Sequence, residues 1–371
     1  MKRLLLLSVF VFAGCGDGGG AVGDGDFPVP AIDWAPRWYE CRRAKTPPVI
    51  DGRLNDAAWR GMVEWTEDFG DITGDPEKKP RFRTRAKFLW DDECLYVGVE
   101  MEEPHVWGSL TERDCVVYHD NDIELFLDPD GDTHEYYEFE LNPLNTLWDL
   151  LVTKPYRDDG HGVNAWDVRG IRTAVHVDGT LNDPADTDRG WSVEMAIPWG
   201  PLRESERASG PPAVGAVWRI NMSRVQWRTK VSDGKYVKET DPATGQYLPE
   251  DNWSWSPQGL VAMHYPEMWG FLAFSGETSD VIEIGGGKPR LPTEEWDLRR
   301  IYYAQQQYRS DGKRGGSYAR NLGELGMKDP PENVRMEATA NQFEAETRLD
   351  DGTTLRITHD GRLHRIRKES D

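Results

Sequence analysis

From Pro47 to about Ser275 the chain is a succession of short runs that alternate apolar and polar residues and are broken by turn signals. Leu95-Tyr96-Val97-Gly98-Val99-Glu100 shows the pattern: a period of two buries one face of a strand and wets the other. The same reasoning predicts strands at Arg83–Trp90, Cys94–Met101, Asp122–Leu127, Tyr136–Asn142, Leu147–Val152, Ile171–Val177, Gly190–Ile197 and Val217–Ser223. Only Asp56–Gly61 and Trp199–Ser205 read as short helices. Strands without regular helices between them cannot build a parallel βαβ sheet. They predict an all-β fold, an antiparallel β-sandwich of jelly-roll type, over residues 37–275.

The flanks read differently. Residues 276–292 contain GGGKPRLP and predict a linker. Thr293–Arg309 then carries a helical stripe of Trp296, Ile301, Tyr302 and Tyr308, followed by three strands separated by Asp351-Gly352 and Asp360-Gly361 turns. Residues 293–371 are therefore expected to form a small α+β tail domain. At the other end, basic Met1-Lys2-Arg3, the apolar run Leu4–Phe12 and small residues before Cys15 predict a secretory signal over residues 1–14. Phe12-Ala13-Gly14-Cys15 resembles a bacterial lipobox, which implies lipidation of Cys15 and a membrane anchor. Gly16 rather than an aspartate after Cys15 points to the outer membrane or cell surface. Residues 15–36, rich in glycine and aspartate at their start, are expected to be a tether.

A formal charge of −21 argues against nucleic acid as a partner, because phosphate binding needs clustered Lys and Arg. Neutral polymers and metal cations suit such a surface better. After Cys15, Cys41, Cys94 and Cys115 remain, enough for one disulfide among three pairings, and no CxxC pattern supports zinc or thiol redox chemistry.

Chemistry concentrates in Tyr118–Asn142, where carboxylates alternate with aromatic rings. Asp128, Asp130 and Asp132 occupy alternate positions of one loop, a spacing that lets oxygens converge on a structural calcium ion, although the EF-hand pattern is absent. Asp183, Asp186 and Asp188 read as a solvated loop. Asp122 with Glu124, and Glu138 with Glu140, share strand faces, which suits cation or hydroxyl binding better than catalysis across a cleft. No Gly-x-Ser-x-Gly or HExxH pattern occurs. His119 and His264 fall in candidate binding loops, and Asn252–Gln258 with Met268–Phe271 places tryptophans in a loop, where flat rings stack on pyranose faces.

Together these residues resemble the family 9 carbohydrate-binding modules over roughly residues 45–275. The matching motifs, in order, are Pro48–Gly52 with Leu54–Trp59, Phe88–Asp92 with Leu95–Val97, Asp122–Asp128, Tyr137–Asn142, Gly190–Trp199, Arg219–Asn221 and Trp269-Gly270. The resemblance implies a calcium-containing β-sandwich that grips a sugar between two aromatic rings. By position, Tyr118 is the first ring, Glu124 a hydroxyl-binding carboxylate and Asn221 a polar amide, with Arg224 nearby. The second ring falls at Met263, where His264, Tyr265 or Trp255 would have to substitute. Glu140 stands where the family suggests an arginine. The expected function is non-catalytic binding of poly- or oligosaccharide in polysaccharide catabolism. The alternatives are a glycoside hydrolase using Glu124 and Glu140, and a haem-binding sandwich using Met263 and His264.

Overall fold

The computed structural model describes residues 27–61, 63–205, 210–276, 293–311 and 315–367. The signal segment, Cys15 and residues 277–292 of the expected linker lie outside them. No helix among the described residues is long and apolar enough to cross a membrane.

In chain order the first half supplies β1 (Trp38–Arg43), α1 (Ala57–Arg60), β2 (Gly70–Asp71), β3 (Thr84–Trp90), β4 (Cys94–Glu102), β5 (Asp122–Asp128), β6 (Tyr136–Leu141), β7 (Leu147–Val152) and β8 (Gly162–Val163). Then come β9 (Arg172–Asp178), β10 (Gly190–Pro198), β11 (Val217–Gln226), β12 (Thr229–Ser232), β13 (Lys235–Lys238), β14 (Asp251–Ser254) and β15 (Gly270–Ser275). The main path runs β8-β7-β6-β5-β11-β15-β1-β3-β4-β10-β9, with β14 and β2 joined beside β11. Every pairing on it is antiparallel except those of β1, which runs parallel to both β15 and β3.

One continuous sheet thus makes both layers by curling over itself. Ile123, Leu125 and Leu127 of β5 and Tyr137, Phe139 and Leu141 of β6 meet Leu95, Val97 and Val99 of β4 and Trp191, Val193 and Met195 of β10 in a single core. Burying those side chains from two facing sheet halves is the main stabilising term of the fold. Trp90 and Trp191 are in that core. Trp59 instead covers the outer face of β3, β4 and β10 with Leu89, Tyr96 and Ala196, its Nε1 donating to Glu194 Oε1 at 2.6 Å. The same carboxylate accepts from the backbone N–H of Asp51 and Gly52. Gly52 has φ +84°, and a Cβ there would sit 2.6 Å from the His176 nitrogen, so only glycine makes this turn.

The predicted strands hold to within a few residues at their ends. The helix expected at Trp199–Ser205 is a run of turns; Pro201 biases Gly200 away from helical angles just after β10 ends at Pro198. Cys41, Cys94 and Cys115 are all free thiols rather than two of them forming a disulfide, and the Cys41 and Cys94 side chains are buried.

The tail adds α2 (Thr293–Ser310), α3 (Leu322–Leu325) and an antiparallel sheet of β16 (Arg335–Ala338), β17 (Phe343–Arg348), β18 (Thr354–Thr358) and β19 (Leu363–Ile366). β16 is one strand more than the sequence pattern shows, because its burial alternates only between exposed and half-buried residues. The α2 residues Leu298, Ile301 and Tyr302 pack on Phe343, Leu355 and Ile357, and the cluster continues into Tyr265 and Met268 of the sandwich. Phe27, Val29, Ile32 and Trp34, assigned with the tether, join it. Trp34 stacks on Trp296 with centroids 5.4 Å apart and donates to the Glu267 carbonyl at 2.9 Å.

Candidate functional site

On β5, β6 and β7 the residues that do not enter the core form the opposite face of the sheet. Strand alternation puts Asp122, Glu124 and Phe126 of β5, Tyr136, Glu138 and Glu140 of β6, and Trp148 and Leu150 of β7 together there. The ladder sets their order: Glu124 lies opposite Glu140, Phe126 opposite Glu138, and Glu140 opposite Trp148. Ser223 of β11 faces Glu124 from the other side.

This face is the floor of a cleft of about 150 Å³ lined by Tyr118, Glu124, Glu138, Glu140, Trp148 and His264, among others. The loop after β14 closes one side with Val261, Ala262, Met263 and His264, and Asn252, Glu250 and Tyr156 line the rest. Two regions differ in chemistry. Ile72, Phe126, Tyr136, Leu150, Val152, Met263 and Trp269 make a packed apolar half. The carboxylates make the other half, where the Tyr118 and Trp148 rings stand 6.4 Å apart at 31°.

The acidic half is electrostatically unusual. Burial pushes the Glu124 carboxyl up to about 7. Burial first, and then the neighbouring carboxylates, hold Asp122, Glu138 and Glu140 well above the ordinary carboxylate range. Glu140 Oε2 accepts the Tyr118 N–H at 3.1 Å. Among the described residues no Lys, Arg or His pairs with any of the four acids. His264 is neutral: burial, then the Arg157 charge, lowers it to about 3. Its Nδ1 lies 2.9 Å from the Tyr136 hydroxyl, and its ring meets Tyr156 edge to face.

Of the residues singled out in the sequence, Tyr118, Glu124, Glu140 and His264 converge on this cleft. His119 is exposed beside it, its ring edge-on to Tyr118. Three candidates lie elsewhere. Trp255 is fully enclosed in the core, where it packs against Gly270, so its ring has no free face. Asn221 is buried and clamps the following loop, donating to the Ser256 carbonyl at 2.8 Å and accepting from the Ser256 N–H at 2.9 Å. Arg224 is buried at the far end of β11, paired with Glu103 at 3.0 Å and stacked on Trp253. Trp148 is the site residue that sequence reasoning passed over. Its signal was the alternation of Leu147-Trp148-Asp149-Leu150, which puts Trp148 on the Glu140 face.

The Asp128–Asp132 loop is a separate cluster. Asp128, Asp130 and Asp132 bring carboxylate oxygens within 4.8 Å of one another. The protein already meets much of their demand: Asp128 accepts from the Gly131 and Thr133 N–H groups, both at 2.9 Å. Asp132 accepts from Arg362 Nε at 2.7 Å, and the Asp132 carbonyl accepts the Leu363 N–H at 3.1 Å. The loop is thus a contact between sandwich and tail.

Residues 50–247 match the family described as carbohydrate family 9 binding domain-like. The exoglucanase XynX of Acetivibrio thermocellus is 26% identical over 153 residues, 41% of this chain and 12% of that protein. Endo-1,4-beta-xylanase C of Paenibacillus barcinonensis is 32% identical over 103 residues, 27% of this chain and 9% of that protein. The chain thus spans only about a tenth of these relatives. Among solved structures, a putative carbohydrate-binding protein from Bacteroides uniformis covers 65% of the chain and is itself covered completely, with a TM-score of 0.46 and 18% identity. A family 9 module from Caldicellulosiruptor kristjanssonii in complex with cellotriose covers 66%, 97% of that module being matched, with a TM-score of 0.41 and 18% identity. The ordered motifs, the curled sheet and a match across more than half of the sequence agree: the chain belongs to the carbohydrate family 9 binding domain-like family.

Proposed function

We propose that this protein binds a carbohydrate, without cleaving it, in the cleft between Tyr118, Trp148 and His264. The observation that carries this reading is the adjacency of rings and carboxylates: Tyr118 and Trp148 offer flat apolar surface beside Glu124, Glu138 and Glu140, which accept hydrogen bonds from hydroxyls. A volume of about 150 Å³ suits one or two sugar rings entering from an open side. It is small against the roughly 300–1,000 Å³ of sites for drug-sized ligands, which weighs against a haem. Hydrolysis needs carboxyls on opposite sides of the scissile bond, roughly 5–9.5 Å apart. Asp122, Glu124 and Glu140 instead share one floor of the cleft, with Glu124 and Glu140 side by side on paired strands rather than facing each other across a bound sugar.

The relatives are an exoglucanase and xylanases by name, so plant cell-wall glucans and xylans head the ligand panel, in keeping with a part in polysaccharide breakdown. Titration calorimetry of the full chain against cello- and xylo-oligosaccharides tests the reading, with reducing-end release measured in parallel. Binding without release supports it. No binding to any member, or release abolished by Glu124→Gln, overturns it.

We also infer export and anchoring through a lipidated Cys15, supported by the Met1–Cys15 pattern. Cys15→Ser should move the protein from the membrane fraction to the soluble fraction. For the Asp128–Asp132 loop we propose tail docking through Arg362 at Asp132, with the three carboxylates still a candidate set for the expected structural calcium.

A further inference from the structure

We propose that the floor of the cleft is a divalent-cation site, with Asp122, Glu124 and Glu140 as ligands, Glu138 beside them, and calcium as the ion that fits. The three ligand carboxylates each bring an oxygen within 4.8 Å of the other two. A set of carboxylates on one floor, open to the cleft, suits calcium, which takes roughly 6–8 oxygen ligands in flexible geometry, better than magnesium, which demands near-ideal octahedral geometry and keeps several waters. The donors are all hard oxygens, which excludes the softer metals as the preferred ion.

Proximity of acids alone would not require an ion. The independent observation is what these buried groups lack. Asp122 is 0% exposed, and neither of its carboxylate oxygens has a hydrogen-bond partner of good geometry, although the Val225 N–H and the Glu140 carboxyl lie near it. Glu138 is 4% exposed with Oε2 unpartnered, and the neighbouring Ser223 hydroxyl is unpartnered too. Buried polar atoms in folded proteins are nearly always satisfied, and an orphaned carboxylate is among the costliest exceptions. A cation in the middle of the set satisfies Asp122, Glu124 and Glu140 together.

The surrounding charges do not do this. Lys238 of β13 sits 3.3 Å from the centroid of the Trp227 ring and acts on Asp122 only at a distance. Burial first, and then the Lys238 charge, lowers the His119 pKa, so the imidazole brings no cation to the floor, and Glu250 adds a further carboxylate to the cleft lining. Glu140 is the decisive residue, because an arginine at that position would fill the space with its own positive charge. An ion held here is open to the cleft through Glu124 and Glu140, so it also offers coordination positions to ligand hydroxyls. The ion site itself stands independently of the sugar.

The test uses full-length, chelator-treated protein with the metal alone. Calcium titrated at pH 7.5 should bind with one equivalent assigned to the floor, and Asp122→Asn and Glu140→Gln should each weaken that equivalent at least roughly 10-fold. Asp130→Asn, in the other acidic loop, should leave it unchanged. Terbium supplies a second readout: Trp148 lies opposite Glu140, so sensitised terbium emission should appear, be displaced by calcium and be lost in Glu140→Gln. Neutralising an unpartnered buried acid does not destabilise the metal-free fold, so Asp122→Asn should melt no lower than the wild type without calcium. Absence of calcium heat and of sensitised emission overturns the proposal. Calcium binding that survives both floor substitutions, or that Asp130→Asn removes, also overturns it. Calcium binding without any sugar binding would leave this site standing and defeat only the carbohydrate reading.

Discussion

Replacing Glu267 by glutamine should loosen the tail from the sandwich. Glu267 is 4% exposed and lies at the junction: Arg157 Nη2 approaches one oxygen at 2.9 Å, and the Tyr303 hydroxyl of α2 donates to the same oxygen. Burial by itself raises this carboxyl, but Arg157, Arg299 and the Tyr303 hydrogen bond outweigh it and bring it down to about 2. Against an ordinary value near 4.5, that shift corresponds to roughly 3 kcal/mol in favour of the charged form. Breaking buried ion pairs costs about 3–5 kcal/mol in general. Arg157 keeps Asp158 at 3.3 Å in the variant, which places the expected loss near the lower figure. Because the folded-state value is depressed, the contribution is complete above pH 4.5 and disappears as the pH falls through about 2. Urea unfolding at pH 7 should show Glu267→Gln less stable by about 3 kcal/mol, with the gap closing toward pH 2. Hydrogen exchange should quicken first in α2. A gap below about 1 kcal/mol, or one that does not change with pH, would refute the assignment of Glu267 as the charged keystone of the junction.

Other consequences are equally measurable. Trp148→Ala and Tyr118→Ala should each weaken oligosaccharide binding about 10-fold, the worth of one stacked ring, while circular dichroism stays unchanged. In metal-free buffer the floor acids invert the usual acid behaviour. Glu124 titrates near 7 when folded and near 4.5 when unfolded, so stability should fall as the pH rises from about 4.5 to 7, and calorimetry across that range checks the sign. Gly270→Ala puts a Cβ 2.5 Å from the Trp255 ring and 2.8 Å from the Arg37 carbonyl, a clash with backbone that should cost about 1–3 kcal/mol in chemical denaturation.

The strands were legible because each is amphipathic at a period of two, and that signal survives without any knowledge of neighbours. The burial of Trp255, Asn221 and Arg224 was not. All three lie in β11 or the loop that closes over it, and polar or aromatic residues there read equally well as ligand contacts. Only the packing of Trp255 on Gly270, the Asn221 clamp on Ser256 and the Glu103 partner of Arg224 distinguish core from site. The docking role of the acidic loop was hidden for a different reason. Arg362, which neutralises Asp132, is 230 residues away in sequence, and no local pattern links them.

Glu140 shows how a single unexpected residue becomes informative once register is known. In the sequence it is a carboxylate where the resembled family suggests an arginine, which weakens the ligand reading and says nothing more. In the sheet it faces Glu124 on one side and Trp148 on the other, with Asp122 one step along β5. Glu140 therefore adds a fourth acid to the floor, in a place that water does not reach well enough to stabilise the charge. Such an arrangement has two stable resolutions, protonation or an added cation, and pH and calcium should interconvert them. A Glu140→Arg variant tests this directly. It should abolish floor calcium binding and remove the fall in stability between pH 4.5 and 7, because the guanidinium would then do the work of the ion.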